Sequence, residues 1–202
     1  MHKIEVVKLE EAGYRSAMIG LSYNKKQVVE NMPHVAGKLH NRDGGHNKFL
    51  EHIVTWWEIT APRYWWQEMD TYRIGVSKQS ESTTYTLVKD IKRLAPRGLI
   101  KLIDTSEDEY YDILDHLHTW FEDGSFNNDD QQLNALVDAA LQNDMVRTKQ
   151  LLPEGFLQKR ECVINYKTLR NMILQRKNHP LPHWQKFCHE VRAQVEHPKL
   201  LP

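Results

Sequence analysis

Two segments of the chain carry polar side chains of types that bind ligands. The first, Gly75 to Thr84, has no apolar periodicity, so we expect a loop. Its hydroxyl-bearing residues are Ser77, Ser80, Ser82, Thr83 and Thr84. Because an aromatic-rich helical segment precedes them, these hydroxyl groups suit a polar ligand that stacks on rings. A solvated turn is the alternative interpretation.

The second segment, residues 165–176, carries cations and amides at helical spacing. Lys167 and Asn171 are four residues apart and therefore share one helix face. Cations beside amides suit an anionic nucleotide. The candidate ligand residues of this segment are Asn165, Lys167, Arg170, Asn171 and Arg176. The solvated side of an amphipathic helix is the alternative interpretation.

Other catalytic arrangements are missing from the sequence. No histidine stands in an HExxH frame, and Pro180 and Pro182 break the segment around His179, so we expect no metal site. Cys162 and Cys188 form no CxxC pair, which argues against a zinc site or a disulfide framework. Nucleophile-elbow, phosphate-loop and dinucleotide fingerprints are also absent.

Length and charge exclude several classes of protein. The 202 residues suit one domain, 1–202. The 27 basic and 27 acidic residues give zero formal net charge, which excludes a protein that coats nucleic acid with surplus cations. No apolar run is long enough for a membrane span, and the first residues lack the core of a signal peptide. We therefore expect a cytoplasmic protein that does not bind membranes.

The apolar pattern predicts the elements that would position the polar residues. We expect strands at His2–Leu9 and Ile53–Thr60. We expect helical structure at Asn24–Leu39, with an interruption at Pro33. We expect further helices at His46–Glu51, Pro62–Arg73, from Ser106 onward, Leu133–Leu152, Asn165–Lys177 and Trp184–Val195, with a polar break at Asp123–Asp130. The pairs Trp56-Trp57 and Trp65-Trp66 are expected mainly in the core.

Three segments, in order, resemble the flavin-dependent thymidylate synthases. Residues 45–59, followed by Ala61-Pro62, resemble the GHxSxxEHxxFTF stretch of that family. Residues 64–85 are similar to its helix and signature RHRxxSxNExSxRY. Residues 149–153 and 165–176 resemble its RxxLP…NxRSLxxFLxxR segment, and His183-Trp184-Gln185 resembles the start of its AQWE helix. The resemblance covers about residues 45 to 195.

The resemblance implies a set of flavin-binding residues. His52 corresponds to a histidine that contacts flavin, and Arg73 corresponds to the last arginine of RHR, which faces flavin. Gln79 takes the position of the signature asparagine if one residue is inserted near Val76. The polar pattern of the flavin-side helix is kept by Asn165, Lys167 and Asn171.

The resemblance also implies a substrate site. Ser82 corresponds to a serine at the substrate pyrimidine, and Tyr85 corresponds to the signature tyrosine. Lys149 and Arg176 keep positive charge at two positions that bind substrate anions. Ser80 and Thr84 replace the glutamate and the phosphate-binding arginine of the signature. Arg73 and Ser82 are thus the candidate catalytic residues.

The departures from the signature reduce the number of charged side chains at the site. Thr71 and Tyr72 replace the first two residues of RHR. Exchanging an arginine for Thr84 removes a charge-assisted contact worth about 1.5–3 kcal/mol. The family's chemistry depends on fixed charges and flavin rather than on a covalent nucleophile, so these losses matter. Several of the replacement residues carry hydroxyl groups, which indicates a changed ligand or a changed reaction as readily as a loss of activity.

We expect a mixed α/β domain with a central, mainly antiparallel sheet flanked by helices. The resemblance implies a homotetramer, FAD as cofactor, and NADPH and methylenetetrahydrofolate as co-substrates. The implied reaction is reductive methylation of a deoxyuridine nucleotide such as dUMP, or a related one-carbon modification. The alternative is a non-catalytic module, encoded by a phage, that binds a nucleotide or a protein on the same scaffold.

Overall fold

The computed structural model describes residues 4–26, 28–94 and 131–202. Its backbone forms two compact units whose segments alternate along the chain. The first unit contains residues 4–60, 65–79 and 159–202. The described part of the second unit contains residues 61–64, 80–94 and 131–158. The predicted helix from Ser106 and the predicted break at Asp123–Asp130 lie outside the described residues.

A four-stranded antiparallel sheet runs in the order β1-β2-β4-β3. Its strands are β1 (Glu5–Ala12), β2 (Val54–Pro62), β3 (Val76–Ser80) and β4 (Leu157–Asn165). In β1, Glu5 lies opposite Thr60 and Ala12 lies opposite Val54, with a register shift between Lys8 and Glu10. The prediction of a mixed α/β fold with an antiparallel sheet and helices is confirmed.

Eight α-helices and three short 3-10 helices are described. The α-helices are α1 (Tyr14–Lys25), α2 (Met32–Leu39), α3 (Arg63–Met69), α4 (Leu87–Leu94), α5 (Gln131–Leu141), α6 (Met145–Leu151), α7 (Tyr166–Arg176) and α8 (Pro182–Gln194). The 3-10 helices are Val29–Asn31, Lys48–His52 and Pro198–Leu200. None of the helices in the described ranges is long and apolar enough to cross a membrane.

Two predicted helices are each interrupted. The helical pattern over Asn24–Leu39 was expected to be interrupted at Pro33, but the break lies earlier: α1 ends at Lys25, and Pro33 stands in the first turn of α2. Proline suits that position because its missing N–H would have no partner there. The predicted helix Leu133–Leu152 divides into α5 and α6 at Asn143, whose φ is 59°. Asp144 then caps α6 by accepting a bond from the Arg147 N–H at 3.0 Å.

The sheet contains two strands that the sequence pattern did not predict. The prediction of a loop over Gly75 to Thr84 was wrong for Val76–Ser80, which forms edge strand β3. Ser77 and Gln79 are exposed there, so no apolar alternation marks the strand. Central strand β4 was missed because it contains a run of charged residues. In the sheet, the Lys159 ammonium pairs with the Glu58 carboxylate of β2 at 2.9 Å.

The tryptophans of the first unit are mostly core residues, as expected. Trp57, Trp65 and Trp66 are completely buried, while Trp56 is partly exposed. Trp65 packs on Trp184 with ring centroids 4.7 Å apart. The second unit has its own apolar core, formed by Leu87, Val88, Ile91, Leu136, Val137, Ala140 and Leu152.

Candidate functional site

The first turn of α7 is hydrogen-bonded to residues 74 and 75, which follow α3. The Asn165 side chain caps α7 by accepting a bond from the Thr168 N–H at 2.9 Å. The Asn165 N–H donates to the Gly75 carbonyl at 3.1 Å, and Thr168 Oγ1 donates to the Ile74 carbonyl at 2.9 Å. Gly75 has φ +70°, and a Cβ there would overlap the side chains of Asn165 and Thr168. Glycine is therefore required where the two segments meet.

A cavity of about 850 Å³ opens along this junction. We call it the α7 cavity. It brings together four of the residues predicted to bind flavin: Arg73, Asn165, Lys167 and Asn171. The rest of its lining comes from Glu51, Thr71, Tyr72, Ile74, Gly75, Thr168 and Gln175. The shared face predicted for Lys167 and Asn171 is thus present and faces one cavity.

The polar lining of the α7 cavity is mostly amides and cations. Lys167 is paired with Glu51, whose carboxylate is the only one among the described lining residues. Arg73 is exposed and makes no side-chain ion pair or hydrogen bond with any described residue. The lining therefore retains one uncompensated positive charge beside the amides of Asn165, Asn171 and Gln175.

His52 lines a different cavity, of about 340 Å³, beside α1. We call it the α1 cavity. Its polar lining includes Lys25, His46 and Lys48, and its apolar lining includes Phe49. Glu51 and His52 are consecutive residues of the 3-10 helix 48–52, yet they line the α7 and α1 cavities respectively. Only part of the predicted flavin set therefore shares one cavity in this chain.

Two of the predicted substrate residues meet in the second unit. The Lys149 ammonium donates a short hydrogen bond to the Thr84 hydroxyl, although the residues are 65 positions apart. Thr84 belongs to a turn in which the Ser82 carbonyl accepts bonds from the Tyr85 N–H at 3.1 Å and the Thr86 hydroxyl at 2.7 Å. The Tyr85 side chain is largely exposed. A cation and a hydroxyl therefore stand side by side where the signature has an arginine.

Arg176 belongs to a polar and aromatic cluster in the first unit. Its guanidinium donates to a Glu68 carboxylate oxygen at 2.8 Å and to the Tyr72 hydroxyl at 3.0 Å. It also lies 4.8 Å from the Trp184 ring centroid, in cation–π geometry. The same Glu68 oxygen accepts the Trp184 indole N–H at 2.9 Å. Arg176 is thus half-buried and already neutralised by a carboxylate.

Comparison with solved structures reveals one fold. The flavin-dependent thymidylate synthase ThyX of Helicobacter pylori, complexed with FAD and dUMP, matches with a TM-score of 0.72 and 19% identity, over 98% of this chain and 97% of that chain. A second structure of that enzyme with FAD and dUMP gives a TM-score of 0.68 and 21% identity over the same shares. The chain has the flavin-dependent thymidylate synthase fold.

A third match lies further from this sequence. The UMP/dUMP methylase PolB of Streptomyces cacaoi, bound with 5-Br dUMP, matches with a TM-score of 0.61 and 13% identity, over 95% of this chain and 89% of that chain. No model of a protein family and no curated protein matches the sequence. At these identities the likeness establishes the thymidylate synthase fold alone.

The ligand-binding roles of Gln79 and Ser80 stay predictions. Gln79 and Ser80 are exposed on β3 and line neither the α7 nor the α1 cavity. Sequence reasoning missed Thr168 and Gln175, which line the α7 cavity. The signal was available, because positions 168, 171 and 175 follow the helical spacing of one face.

Cys162 and Cys188 are buried free thiols. Burial raises the pKa of Cys162 to about 12, although the charges of Lys78 and Arg160 lower it in part. Burial likewise raises the pKa of Cys188 to about 11. Both thiols are therefore protonated near neutral pH and unsuited to nucleophilic attack.

One acidic cluster was missed by sequence reasoning. Glu11, Glu196 and His197 place ligand atoms within 4.8 Å of one another. The Lys8 ammonium lies 3.2 Å from Glu11 and 3.3 Å from Glu196, so a cation already neutralises the pair. Tyr166 donates to Glu11 at 2.6 Å, and burial, followed by this bond, raises the pKa of the phenol. The cluster thus links β1, α7 and the C-terminal segment.

Proposed function

We propose that this protein binds FAD and a deoxyuridine nucleotide and catalyses a one-carbon modification of the pyrimidine, with reductive methylation as the expected reaction. The observation that supports this most is the α7 cavity, where Arg73, Asn165, Lys167 and Asn171 converge. These residues come from two distant parts of the sequence, and the sequence resemblance implies a flavin-binding role for each.

The lining of the α7 cavity fits a flavin in chemistry and in size. Arg73 supplies a guanidinium that suits the pyrophosphate of FAD or an electron-rich ring edge. The amides of Asn165 and Asn171 both donate and accept, as the flavin ring requires. A volume of about 850 Å³ lies within the range of ligand cavities. A bound reduced flavin would supply hydride, with NADPH as the proposed reductant and methylenetetrahydrofolate as the proposed one-carbon donor.

The nucleotide is proposed to bind where Lys149 meets Thr84. An ammonium and a hydroxyl can both donate to phosphate oxygens, and the existing bond between them holds the pair together. Ser82 and Tyr85 begin and end the same turn and are proposed to contact the base. The similar structures contain dUMP or 5-Br dUMP, which favours a pyrimidine nucleotide as substrate.

Titration of FAD into wild type and two charge-matched variants tests the cavity assignment. Arg73→Gln removes the uncompensated charge, and we expect FAD affinity to fall about tenfold or more, measured by quenching of flavin fluorescence. Arg15→Gln, at an exposed position outside both cavities, is the control and should bind as wild type does. Equal affinity for Arg73→Gln and wild type would refute the role of Arg73.

A non-catalytic nucleotide-binding or protein-interaction module is the second candidate, and the bonds of Arg176 favour it. Glu68 neutralises this guanidinium, so a phosphate must compete with a carboxylate at 2.8 Å. A protein that only binds a ligand tolerates the neutralisation of Arg176 better than an enzyme does, because catalysis depends on preorganised charges. Rescue of a thymidine auxotroph by this sequence would eliminate the second candidate, and a modified product other than thymidylate would indicate a different pyrimidine reaction.

A further inference from the structure

A second polar cavity lies on the outer side of α7 and α8. Its volume is about 440 Å³, and it shares no lining residue with the α7 cavity or the α1 cavity. The polar residues that line it are Lys177, Gln185, His189 and Arg192. Its apolar lining is Ile173, Cys188, Ala193 and Pro198. We call it the α8 cleft. The sequence resemblance assigned no role to any of its residues.

The basic side chains of the α8 cleft have no counter-charges. No carboxylate lines the cleft. Lys177, His189 and Arg192 make no side-chain hydrogen bond or ion pair with any described residue. Elsewhere in the described chain, many basic side chains are paired with carboxylates: Lys8, Arg63, Lys78, Lys159, Arg160, Lys167, Arg170 and Arg176. The α8 cleft is therefore a local excess of positive charge in a neutral chain.

Helix geometry holds these groups on one side. Gln185, His189 and Arg192 are spaced i, i+4 and i+7 along α8, so they form one stripe. The opposite side of α8 is fixed in the core by Trp184, Phe187 and Val191, which the solvent does not reach. Lys177 joins the stripe from the C-terminal end of α7. The cations thus sit on rigid elements, and only their side-chain ends must be ordered on binding.

We propose that the α8 cleft binds a small phosphate monoester that carries an apolar group. Arginine offers a planar fork that matches phosphate oxygens, and lysine adds a point charge. The exposed side chains of Ala193 and Pro198 form an apolar floor beside these cations, which inorganic phosphate alone would leave uncovered. The cleft is also larger than one phosphate group needs.

Binding of phenyl phosphate to the 202-residue chain tests this proposal. Isothermal titration at low salt should give saturable binding, several-fold tighter than that of inorganic phosphate because the ring covers the apolar floor. Lys177→Gln and Arg192→Gln should each weaken binding about tenfold, and the double variant should abolish it. Circular dichroism and the midpoint of thermal unfolding verify that the variants are folded.

Two controls separate this cleft from the proposed nucleotide site. Lys186→Gln makes the same charge change at an exposed position of α8 outside the cleft, and binding should be unchanged. Lys149→Gln alters the proposed nucleotide site and should leave unchanged the binding event that Lys177→Gln and Arg192→Gln weaken, so the two proposals can fail independently. The proposal is overturned if wild type does not bind phenyl phosphate, or if Lys186→Gln weakens binding as much as the cleft variants do. In that case Lys177 and Arg192 serve only to offset the C-terminal dipoles of α7 and α8.

Discussion

At the scale of single residues, Glu68 is the centre of the aromatic cluster. One of its carboxylate oxygens accepts both the Arg176 guanidinium and the Trp184 indole N–H, at 2.8 and 2.9 Å. His179 Nε2 lies 3.6 Å from the same oxygen and 2.8 Å from an Arg176 nitrogen. The carboxylate therefore compensates a half-buried cation and satisfies a buried indole at once, which makes its charge important for stability.

Replacing Glu68 by Gln should destabilise the protein by about 1.5–3 kcal/mol, because Arg176 loses its counter-charge and the indole loses a charged acceptor. Urea unfolding measures this difference. Glu30→Gln, at an exposed position with no side-chain partner among the described residues, should change stability little. If both variants unfold at the same urea concentration, the cluster is not a stabilising unit.

The candidate site could be predicted only where its residues are close in sequence. Lys167 and Asn171 were placed on one face because helical spacing fixes it. Arg73 could be joined to them only by resemblance, because the contact depends on how Gly75 meets Asn165. Glu68 and Arg176 are 108 positions apart, so no spacing rule links them, and the sequence does not reveal that Arg176 has a carboxylate partner.

At the scale of secondary structure, the first turn of α7 connects helix stability to the α7 cavity. Asn165 uses its side-chain oxygen as the helix cap, and its amide group faces the segment at Gly75. Asn165 both caps α7 and lines the α7 cavity, and two different substitutions can separate these roles. Aspartate keeps the cap oxygen but lacks the amide donor, whereas alanine lacks both.

We therefore expect Asn165→Ala to destabilise the protein by about 1 kcal/mol and Asn165→Asp to leave stability nearly unchanged. Both variants should bind FAD more weakly than wild type, since neither offers the amide donor. Chemical unfolding and flavin fluorescence titration give the two quantities. Wild-type FAD affinity in Asn165→Asp would show that the amide serves the helix alone.

Asp70 connects α3 to two strands through charge. Lys78 of β3 and Arg160 of β4 approach its carboxylate at 2.9 and 3.0 Å. Burial raises the pKa of Asp70, but the bonds and charges of these two cations lower it by more, so the pKa lies below its ordinary value. The ionised carboxylate thus contributes stability above the ordinary pKa of about 3.9, and that contribution is lost as pH falls below it.

The variant Asp70→Asn should therefore lose stability at neutral pH and show a weaker decline than wild type as pH falls through about 4 and below. Urea unfolding at a series of pH values measures both. Asp138→Asn, at an exposed position of α5, should follow the wild-type curve. Parallel curves for wild type and Asp70→Asn would contradict the proposed stabilisation by Asp70.

The sequence pattern did not predict β4, two of whose charged residues form ion pairs in the sheet. β4 includes Lys159, Arg160 and Glu161, a run that is typical of a solvated segment. In the sheet, Lys159 and Arg160 meet carboxylates from β2 and the end of α3, and Arg160 also lies 4.3 Å from the Trp66 ring centroid. Long-range partners thus allow a charged run to form a central strand. The helices α7 and α8, by contrast, followed from the local pattern.

At the scale of the whole molecule, exposed apolar side chains suggest how the cavities are completed. Ile74 is 90% exposed although it lines the α7 cavity, and Tyr85 is 71% exposed in the turn that contains Thr84. An apolar side chain as exposed as Ile74 at a cavity is accessible to a second subunit. We propose that the chain forms a homotetramer, as the sequence resemblance implies, and that another subunit covers Ile74.

Light scattering on the purified protein should give the mass of four chains. Ile74→Asp should reduce that mass and weaken FAD binding, because a buried carboxylate opposes association. Val28→Asp, a similar change at an exposed position outside the α7 and α1 cavities, should leave both unchanged. A monomeric wild type, or an Ile74→Asp tetramer with normal FAD affinity, would rule out this interface.

The most direct test of the proposed function is the identity of the nucleotide product. The protein is incubated under anaerobic conditions with FAD reduced by dithionite, methylenetetrahydrofolate and dUMP, and the nucleotides are analysed by mass spectrometry. The proposed reaction predicts a product heavier than dUMP by the added carbon group, whose formation requires both flavin and Arg73. Unmodified dUMP recovered from protein that is saturated with flavin would contradict it.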